Sequence, residues 1–232
     1  MSADAQIHLK SPETRTRKRI FLVDDHPLVR EWLTQLIDQQ PDLTVCGEAG
    51  SAPAALAALG TAAADLAIVD LSLENSAGLD LVKSLQKLTP AVPALVLSMH
   101  DESLYAERAF RAGARGYVNK RESAQRVVEA VRRVLDGKLY VSEKAAEILA
   151  AQTARGGAPP EQPAIERLSD RELEVFEKLG QGIGTRQIAE DFSVSIKTVQ
   201  AYCARIKEKI NVGSATELLR EAMRWHDAKL SK

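Results

Sequence analysis

The fold is decided by IFLVDDHPLVR, residues 20–30. Ile20 to Val23 are apolar without alternation, the pattern of a strand buried on both faces in a parallel sheet. Two carboxylates follow at once. Pro27, suited to the first turn of a helix, then opens the next element. Working outward, the chain repeats this βα unit. Apolar runs recur at Leu43–Cys46, Leu66–Val69, Ala94–Leu97 and Gly116–Val118. Helix-like segments cover Pro27–Gln39, Ala52–Leu59, Leu79–Leu88 and Glu102–Ala112, the last closed by Gly113. A final one, Ser123–Leu135, has Ser123 as N-cap and Gly137 as stop. Five such units predict a doubly wound α/β domain with a five-stranded parallel sheet over residues 18–140.

Both flanks change character. Residues 1–17 are polar and predict a disordered, solvated tail, running into the basic cluster Arg15, Arg17, Lys18 and Arg19. Residues 141–164 predict a linker, with a helix over Val141–Gln152 followed by ARGGAPPEQP (154–163), too rich in Gly and Pro for regular structure. From 165 to 232 the pattern is helical and predicts a small four-helix domain. Ser169 and Glu172 form a capping box, Gly180, Gly182 and Gly184 break the first helix, and Thr185–Phe192 makes a short second one. Ser195 caps a third helix to about Ile210, and Ser214 caps a fourth. A short helix, a tight turn and a longer helix make a helix-turn-helix. Cys46 and Cys203 are far apart without metal-ligand spacing, so they read as small hydrophobes in a reducing compartment. No stretch approaches the ~20 apolar residues of a membrane span, and Met1–Pro12 lacks the apolar core of a secretory signal. A soluble, cytoplasmic protein is expected.

Ligands of an open parallel sheet bind beyond the C-terminal ends of its strands. Strand one ends in Asp24 and Asp25, strand three in Asp70, strand four in Ser98 and strand five near Lys120. Any one acid at a strand end is usually a turn or helix cap. Three acids, a hydroxyl and an ammonium at four strand ends point to chemistry instead. Three packed carboxylates repel one another without a cation. Their oxygens suit Mg²⁺, which also bridges to phosphate. A carboxylate beside that ion can act as a nucleophile and form an aspartyl phosphate, and Asp70, on the central strand, is the best placed. His26 reads as a connection to the first helix rather than a metal ligand.

The segments IFLVDDHPLVR, IVDLSL (68–73), LVLSMHDE (95–102) and GARGYVNK (113–120) resemble a response-regulator receiver domain, which has a flavodoxin-like fold. The resemblance covers roughly residues 18–140. It implies that Asp70 is the phosphoacceptor, that Asp25 and Asp70 contact Mg²⁺ directly, and that Asp24 does so through water. It also implies a ligand in the Ser72 backbone carbonyl, a switch hydroxyl in Ser98, a phosphate partner in Lys120 and an aromatic switch in Tyr117. From the residues alone Tyr117 is equally a core aromatic at the sheet edge. Receivers of this type usually carry Met-Pro where this chain has Leu73 and Glu74, which bears on the shape of the loop and the lifetime of the phosphate.

Residues 168–212 resemble the LuxR-type helix-turn-helix in their L-S-x-R-E opening, G-x-x-x-x-x-I-A step, S-x-x-T-V turn and K-I-x-V exit. With the receiver, this resembles the NarL/FixJ type of two-component response regulator. The resemblance implies double-stranded DNA (an inverted repeat), a histidine kinase and a homodimer as partners. In the third helix Val199, Cys203, Ile206 and Ile210 form an apolar face. Lys197, Thr198, Gln200, Ala201, Ala204, Arg205 and Lys209 are left as candidate DNA contacts. Small alanines let a helix sit deep in a major groove, and Gln can bond adenine edges. Thr185 and Arg186 would hold phosphate at the start of the second helix. For each single cation an ordinary solvated face is an equal reading. The family commonly has Lys at Gln200 and His at Tyr202. The last domain, from Ile165 to Lys232, has twelve basic and eleven acidic side chains. It therefore offers DNA little charge on its own.

A phosphoaspartyl hydrolase with an accessory helical domain needs a second acid two residues after its nucleophile, where this chain has Ser72. A flavodoxin-like cofactor binder needs a phosphate-cradling loop after strand one, where Asp24-Asp25-His26-Pro27 stands. A phosphorylation-independent DNA-binding regulator of the same fold is disfavoured by the intact acids, Ser98 and Lys120, and favoured by Glu74. The expected protein is not an enzyme beyond its own phosphorylation and dephosphorylation.

Overall fold

A computed structural model describes residues 17–73, 78–88, 90–100, 102–142, 146 and 164–230. The expected tail (save Arg17), the linker helix (save 141, 142 and 146), the Gly/Pro segment and Glu74 lie outside these residues.

Five strands form one parallel sheet in the order β2-β1-β3-β4-β5: β1 (Lys18–Val23), β2 (Leu43–Ala49), β3 (Leu66–Val69), β4 (Ala94–Ser98) and β5 (Gly116–Asn119). The connecting helices are α1 (Pro27–Asp38), α2 (Ala52–Ala62), α3 (Gly78–Leu85), α4 (Glu102–Arg111) and α5 (Ala124–Leu135). Alternate residues of each strand point to opposite faces, so the unbroken apolar runs feed two cores. Ile20, Leu22, Ile68, Leu95 and Leu97 pack under α1 and α5, with Leu33, Ile37, Val127 and Val131. Phe21, Val23, Val69, Val96 and Tyr117 pack with α2, α3 and α4 on the other face. Lys18 and Arg19 belong to the sheet, where the α/β domain was expected to begin. They are the first residues of β1, tied to Asp65 through the Lys18 ammonium and the Arg19 N–H, each at 2.8 Å. The helix over 79–88 ends earlier than predicted, at Leu85; β3 keeps its predicted range, and the other four strands run one to three residues longer.

The C-terminal part folds as α6 (Asp170–Gly180), α7 (Thr185–Asp191), α8 (Ile196–Ile210) and α9 (Ala215–Leu230). Its sequence signals act as read. Ser169 Oγ accepts from the Glu172 N–H and Glu172 Oε2 from the Ser169 N–H; Ser195 and Ser214 cap α8 and α9. Ser193, at φ 51°, makes the turn between α7 and α8. Leu173, Phe176, Ile188, Val199, Ile206, Leu218 and Ala222 form the core, with Trp225 tilted against Phe176 at 5.7 Å.

Buried Glu172 also accepts from the Lys209 ammonium at 2.6 Å. Burial raises the pKa of its carboxyl, but hydrogen bonds from Lys209 and Ser169 outweigh this and hold it below the usual range. Glu172→Ala removes half of the capping box and strands a cation, and is expected to destabilise this domain by about 1–3 kcal/mol. Calorimetry of the full chain would check it, an unshifted helical-domain transition being the contrary result. Cys46 and Cys203 are both free and half-buried. Among the described residues no helix is long and apolar enough to cross a membrane.

Candidate functional site

The strand order reverses between β1 and β3, and the predicted residues meet beyond that switch point. Asp24, Asp70 and Ser98 are buried. Lys120 Nζ donates to Asp24 Oδ2 at 2.6 Å and to Asp70 Oδ2 at 2.7 Å, supplying the positive charge that lets two buried carboxylates stand together. Burial pushes the Asp70 carboxyl above its ordinary range, against the pull of Lys120. Burial also works against the Lys120 charge, but the two acids overcome it and raise its pKa. The Ser72 N–H donates to Asp70 Oδ1 at 3.2 Å. Helix α3 starts hard against this loop: a Cβ on Gly78 would lie 2.5 Å from Leu71 Cα and 2.6 Å from the Asp70 carbonyl oxygen. A side chain at 78 would displace the backbone that carries Asp70.

His26, read as a connection, takes the N-cap position of α1, yet its ring joins the acids. Its Nδ1 lies 2.6 Å from Asp25 Oδ1 and 3.3 Å from Asp24 Oδ1. One atom each from Asp24, Asp25, His26 and Asp70 fall within 4.8 Å of one another. Asp25 Oδ1 is buried and, despite the nearby ring, accepts no hydrogen bond of acceptable geometry. A buried carboxylate oxygen left without a donor, among other hard oxygens, fits a divalent cation such as Mg²⁺. Tyr117 is buried, and its hydroxyl donates to the His100 carbonyl at 2.9 Å. The His100 N–H in turn donates to Ser98 Oγ at 3.2 Å.

In the helical domain α8 buries Val199 and Ile206 and half-buries Cys203 and Ile210. Lys197, Gln200, Ala201, Ala204 and Arg205 are exposed, as is Arg186 on α7, with Thr185 and Thr198 half-buried. Thr198 Oγ1 lies 2.8 Å from Ser195 Oγ at the helix start. Lys209 is turned the other way, onto Glu172.

Comparison with known proteins accounts for both halves. Residues 20–132 match the response regulator receiver domain, and residues 166–222 match the bacterial regulatory proteins of the LuxR family. The transcriptional regulatory protein UhpA of Escherichia coli is 36% identical over 201 residues, 87% of this chain and 95% of that protein. The chain belongs to the response regulators. It is of the NarL/FixJ type, with a LuxR-type DNA-binding domain, and its relatives are transcriptional regulators. A crystal structure of a LuxR-family two-component response regulator from Aurantimonas superposes with a TM-score of 0.54 at 34% identity, covering 60% of this chain and 99% of that one. RcsB of Salmonella enterica serovar Typhimurium shares the fold, with a TM-score of 0.56 at 23% identity over 88% of this chain and 98% of that one. Receiver domains generally bind Mg²⁺ at an acidic pocket, and the aspartate cluster of this regulator lies at that place.

The regulator also contains a contact that the sequence did not announce. The loop after β4 and helix α4 pack against α6. The His100 ring stacks on Tyr105 with centroids 4.3 Å apart. Its Nε2 lies 3.1 Å from Ser72 Oγ and 3.4 Å from Glu174 Oε1, and its Nδ1 lies 3.8 Å from Glu177 Oε2. The Tyr105 hydroxyl donates to Glu177 at 3.3 Å. Arg108 Nη1 donates to the Leu168 carbonyl at 2.8 Å and to Asp170 Oδ1 at 2.9 Å. Burial disfavours the His100 cation, but Glu174, Glu177 and Asp70 more than offset this and raise its pKa. Buried Glu174 is held below its usual range by His100 and Arg171, despite its desolvation. The receiver docks on α6 rather than on the third helix, because the loop after β4 offers a histidine, and α4 a tyrosine and an arginine, to the α6 acids. The exposed face of α8 stays free.

Proposed function

We propose that this response regulator accepts a phosphoryl group on Asp70 from a histidine kinase and converts that signal into sequence-specific DNA binding and control of transcription. The convergence of Asp24, Asp25 and Lys120 on a buried Asp70 carboxyl carries the reading. An Asp70 oxygen forms the new O–P bond as the donor's P–N bond breaks, and the electron pair leaves with the donor imidazole. Lys120 passes from pairing two acids to pairing a phosphoryl oxygen, and Ser98 donates its hydroxyl to another. Mg²⁺, held by Asp24, Asp25, Asp70 and the Ser72 carbonyl, would neutralise charge on the transferring oxygens. The Ser98–His100–Tyr117 hydrogen bonds give the phosphoryl group a path to α4, with Ser98 and Tyr117 as switch residues. We assign residues 18–140 to the receiver, 141–164 to a linker and 165–232 to the DNA-binding domain. A regulator that reads DNA is placed in the cytoplasm. Intact mass after incubation with Mg²⁺ and acetyl phosphate should show one added phosphoryl group; no addition would remove the phosphoacceptor and leave a phosphorylation-independent regulator.

On DNA, α8 is the reading helix. Lys197 and Arg205, with Thr185, Arg186 and Thr198, are assigned to the phosphate backbone, and Gln200 with Ala201 and Ala204 to base edges. Lys209, held by Glu172, contributes its charge rather than a direct bond. Lys197→Ala is expected to weaken binding to all sequences alike and to flatten the salt dependence by about one unit. Gln200→Ala is expected to relax preference at one base pair, by roughly 1–3 kcal/mol. Equal losses from both at every site and salt concentration would refute the assignment.

A further inference from the structure

We propose that the docking of α6 on the receiver selects the class of phosphoryl donor. The docked protein admits small phosphorylated molecules to Asp70 and excludes phosphohistidine carried on a folded protein, while its DNA-reading face remains free. This rests on the reading of Asp70 as phosphoacceptor.

The geometry is that of a covered mouth. Between the receiver's acidic site and the helical domain lies a cavity of about 380 Å³. Asp25, His26 and Ser72 line one wall, and Glu177, Lys178 and Gln181 line the opposite one. Asp25 and His26 each bring an atom within 4.8 Å of an Asp70 carboxylate oxygen, and the Ser72 N–H donates to Asp70 Oδ1, so α6 stands across the cavity that adjoins the phosphoacceptor. A volume of this size lies in the range of small-molecule pockets, roughly 300–1,000 Å³. The roof is pinned at the receiver's other flank by Arg108 on Leu168 and Asp170, and by Tyr105 on Glu177.

The two kinds of donor make different demands. Transfer needs the donor phosphorus about 3–3.5 Å from an Asp70 oxygen, with the leaving atom on the far side. With acetyl phosphate the P–O bond to the acyl group breaks and acetate leaves with the electron pair, and both fragments fit the cavity. With phosphohistidine the P–N bond breaks and imidazole leaves, but that imidazole is a few bonds from its own backbone. The donor protein's backbone would have to enter the space that α6 fills. Kinase transfer therefore draws only on the fraction of molecules in which the docking is released. The output surface is not under the same control, because Lys197, Gln200, Ala201, Ala204 and Arg205 are exposed with the domains docked. Docking guards the input of the signal.

The test uses the full chain with Arg108→Ala and Asp170→Ala combined, neither residue lining the cavity or lying on the DNA face. Three rates or affinities are compared with wild type: labelling by acetyl phosphate with Mg²⁺, transfer from an autophosphorylated histidine kinase core chosen beforehand because it phosphorylates the wild-type chain, and binding of the unphosphorylated protein to a single DNA half-site. If the released form is a minor species, kinase transfer should rise about tenfold or more, while the other two stay within about twofold. Retained acetyl phosphate labelling also shows that the variant is folded. Tyr105→Phe, which removes only the hydroxyl on Glu177, should shift kinase transfer in the same direction by a smaller factor. Unchanged kinase transfer would overturn the proposal. So would acetyl phosphate labelling that rises in step with it, since docking would then act on the chemistry of Asp70 rather than on access. A wild-type chain that takes no phosphoryl group from acetyl phosphate would instead defeat the Asp70 reading itself.

Discussion

Asp70→Asn is expected to abolish phosphoryl labelling, with intact mass after acetyl phosphate and Mg²⁺ showing no adduct. A carboxamide is isosteric with the carboxylate but lacks the anionic oxygen that attacks phosphorus. The loss should be about a thousandfold or more, equivalent to some 4 kcal/mol of barrier. The fold should survive. Lys120 keeps its 2.6 Å bond to Asp24 when Asp70 is neutralised, so no buried ammonium is left alone. Asp70 is itself a carboxyl whose burial raises its pKa, so replacing it with a neutral group relieves desolvation rather than adding to it. Undiminished labelling of Asp70→Asn would place the phosphoryl group elsewhere and dismantle the site.

How far the sequence could reach is clear from particular residues. The strands of a parallel sheet are buried on both faces, so Ile20–Val23 and Leu66–Val69 carried their structure as unbroken apolar runs. Ser123, Ser169 and Ser195 signalled helix starts because capping is satisfied within three residues. Asp24, Asp70 and Lys120 could be gathered in advance because strand-end geometry is a rule of topology rather than of local sequence. What escaped was set by tertiary contact. Arg108, Tyr105 and His100 on one domain meet Glu174, Glu177 and Asp170 on the other across about sixty to seventy-five positions, and nothing in either helix's pattern encodes the partner. Glu174 and Glu177 sit three apart on one helical face, which reads as solvated until a histidine is found beside them. His26 was legible as a link between strand and helix, whereas its proximity to Asp25 depends on the rotamer that its ring takes at the site. Lys209 looked like one cation of a DNA-binding helix, and the buried Glu172 beneath it claimed it. On α9, Leu218, Leu219, Ala222 and Trp225 share one apolar stripe by helical spacing, a face that the sequence alone would offer whole to a second chain. The structure divides that face: Leu218 and Ala222 are buried in their own domain and Trp225 packs on Phe176, while Leu219 and, in addition, Met223 remain exposed.

That division bears on the second large effect expected, a gain in DNA affinity if two chains pair. One domain, with twelve basic against eleven acidic side chains, neutralises few phosphates, and its Lys178 and Lys209 are already bonded to Asp191 and Glu172. A free α8 face is therefore not enough for tight binding, which reconciles an exposed reading helix with a switched regulator. Pairing would supply the missing term. Two domains in one complex bind the second half-site at an effective concentration set by their connection, a gain of about 10²-fold or more without any new base contact. Two-fold symmetry favours an inverted repeat with half-sites about one helical turn apart. Leu219 and Met223 on α9 are exposed and apolar, and would make that contact. Fluorescence anisotropy on one and two half-sites, with sedimentation of the protein with and without beryllofluoride, should show dimers and the affinity gain together, on the two-site DNA alone. Leu219→Gln with Met223→Gln should return two-site binding to the single-site level and leave single-site affinity within about twofold, since the change adds no charge beside Gln200 and Ala204, which share a cavity with Leu219. A monomer that binds one half-site as tightly as the activated protein binds two would refute pairing as the source of control. Survival of the two-site gain in the double glutamine variant would move the contact off α9.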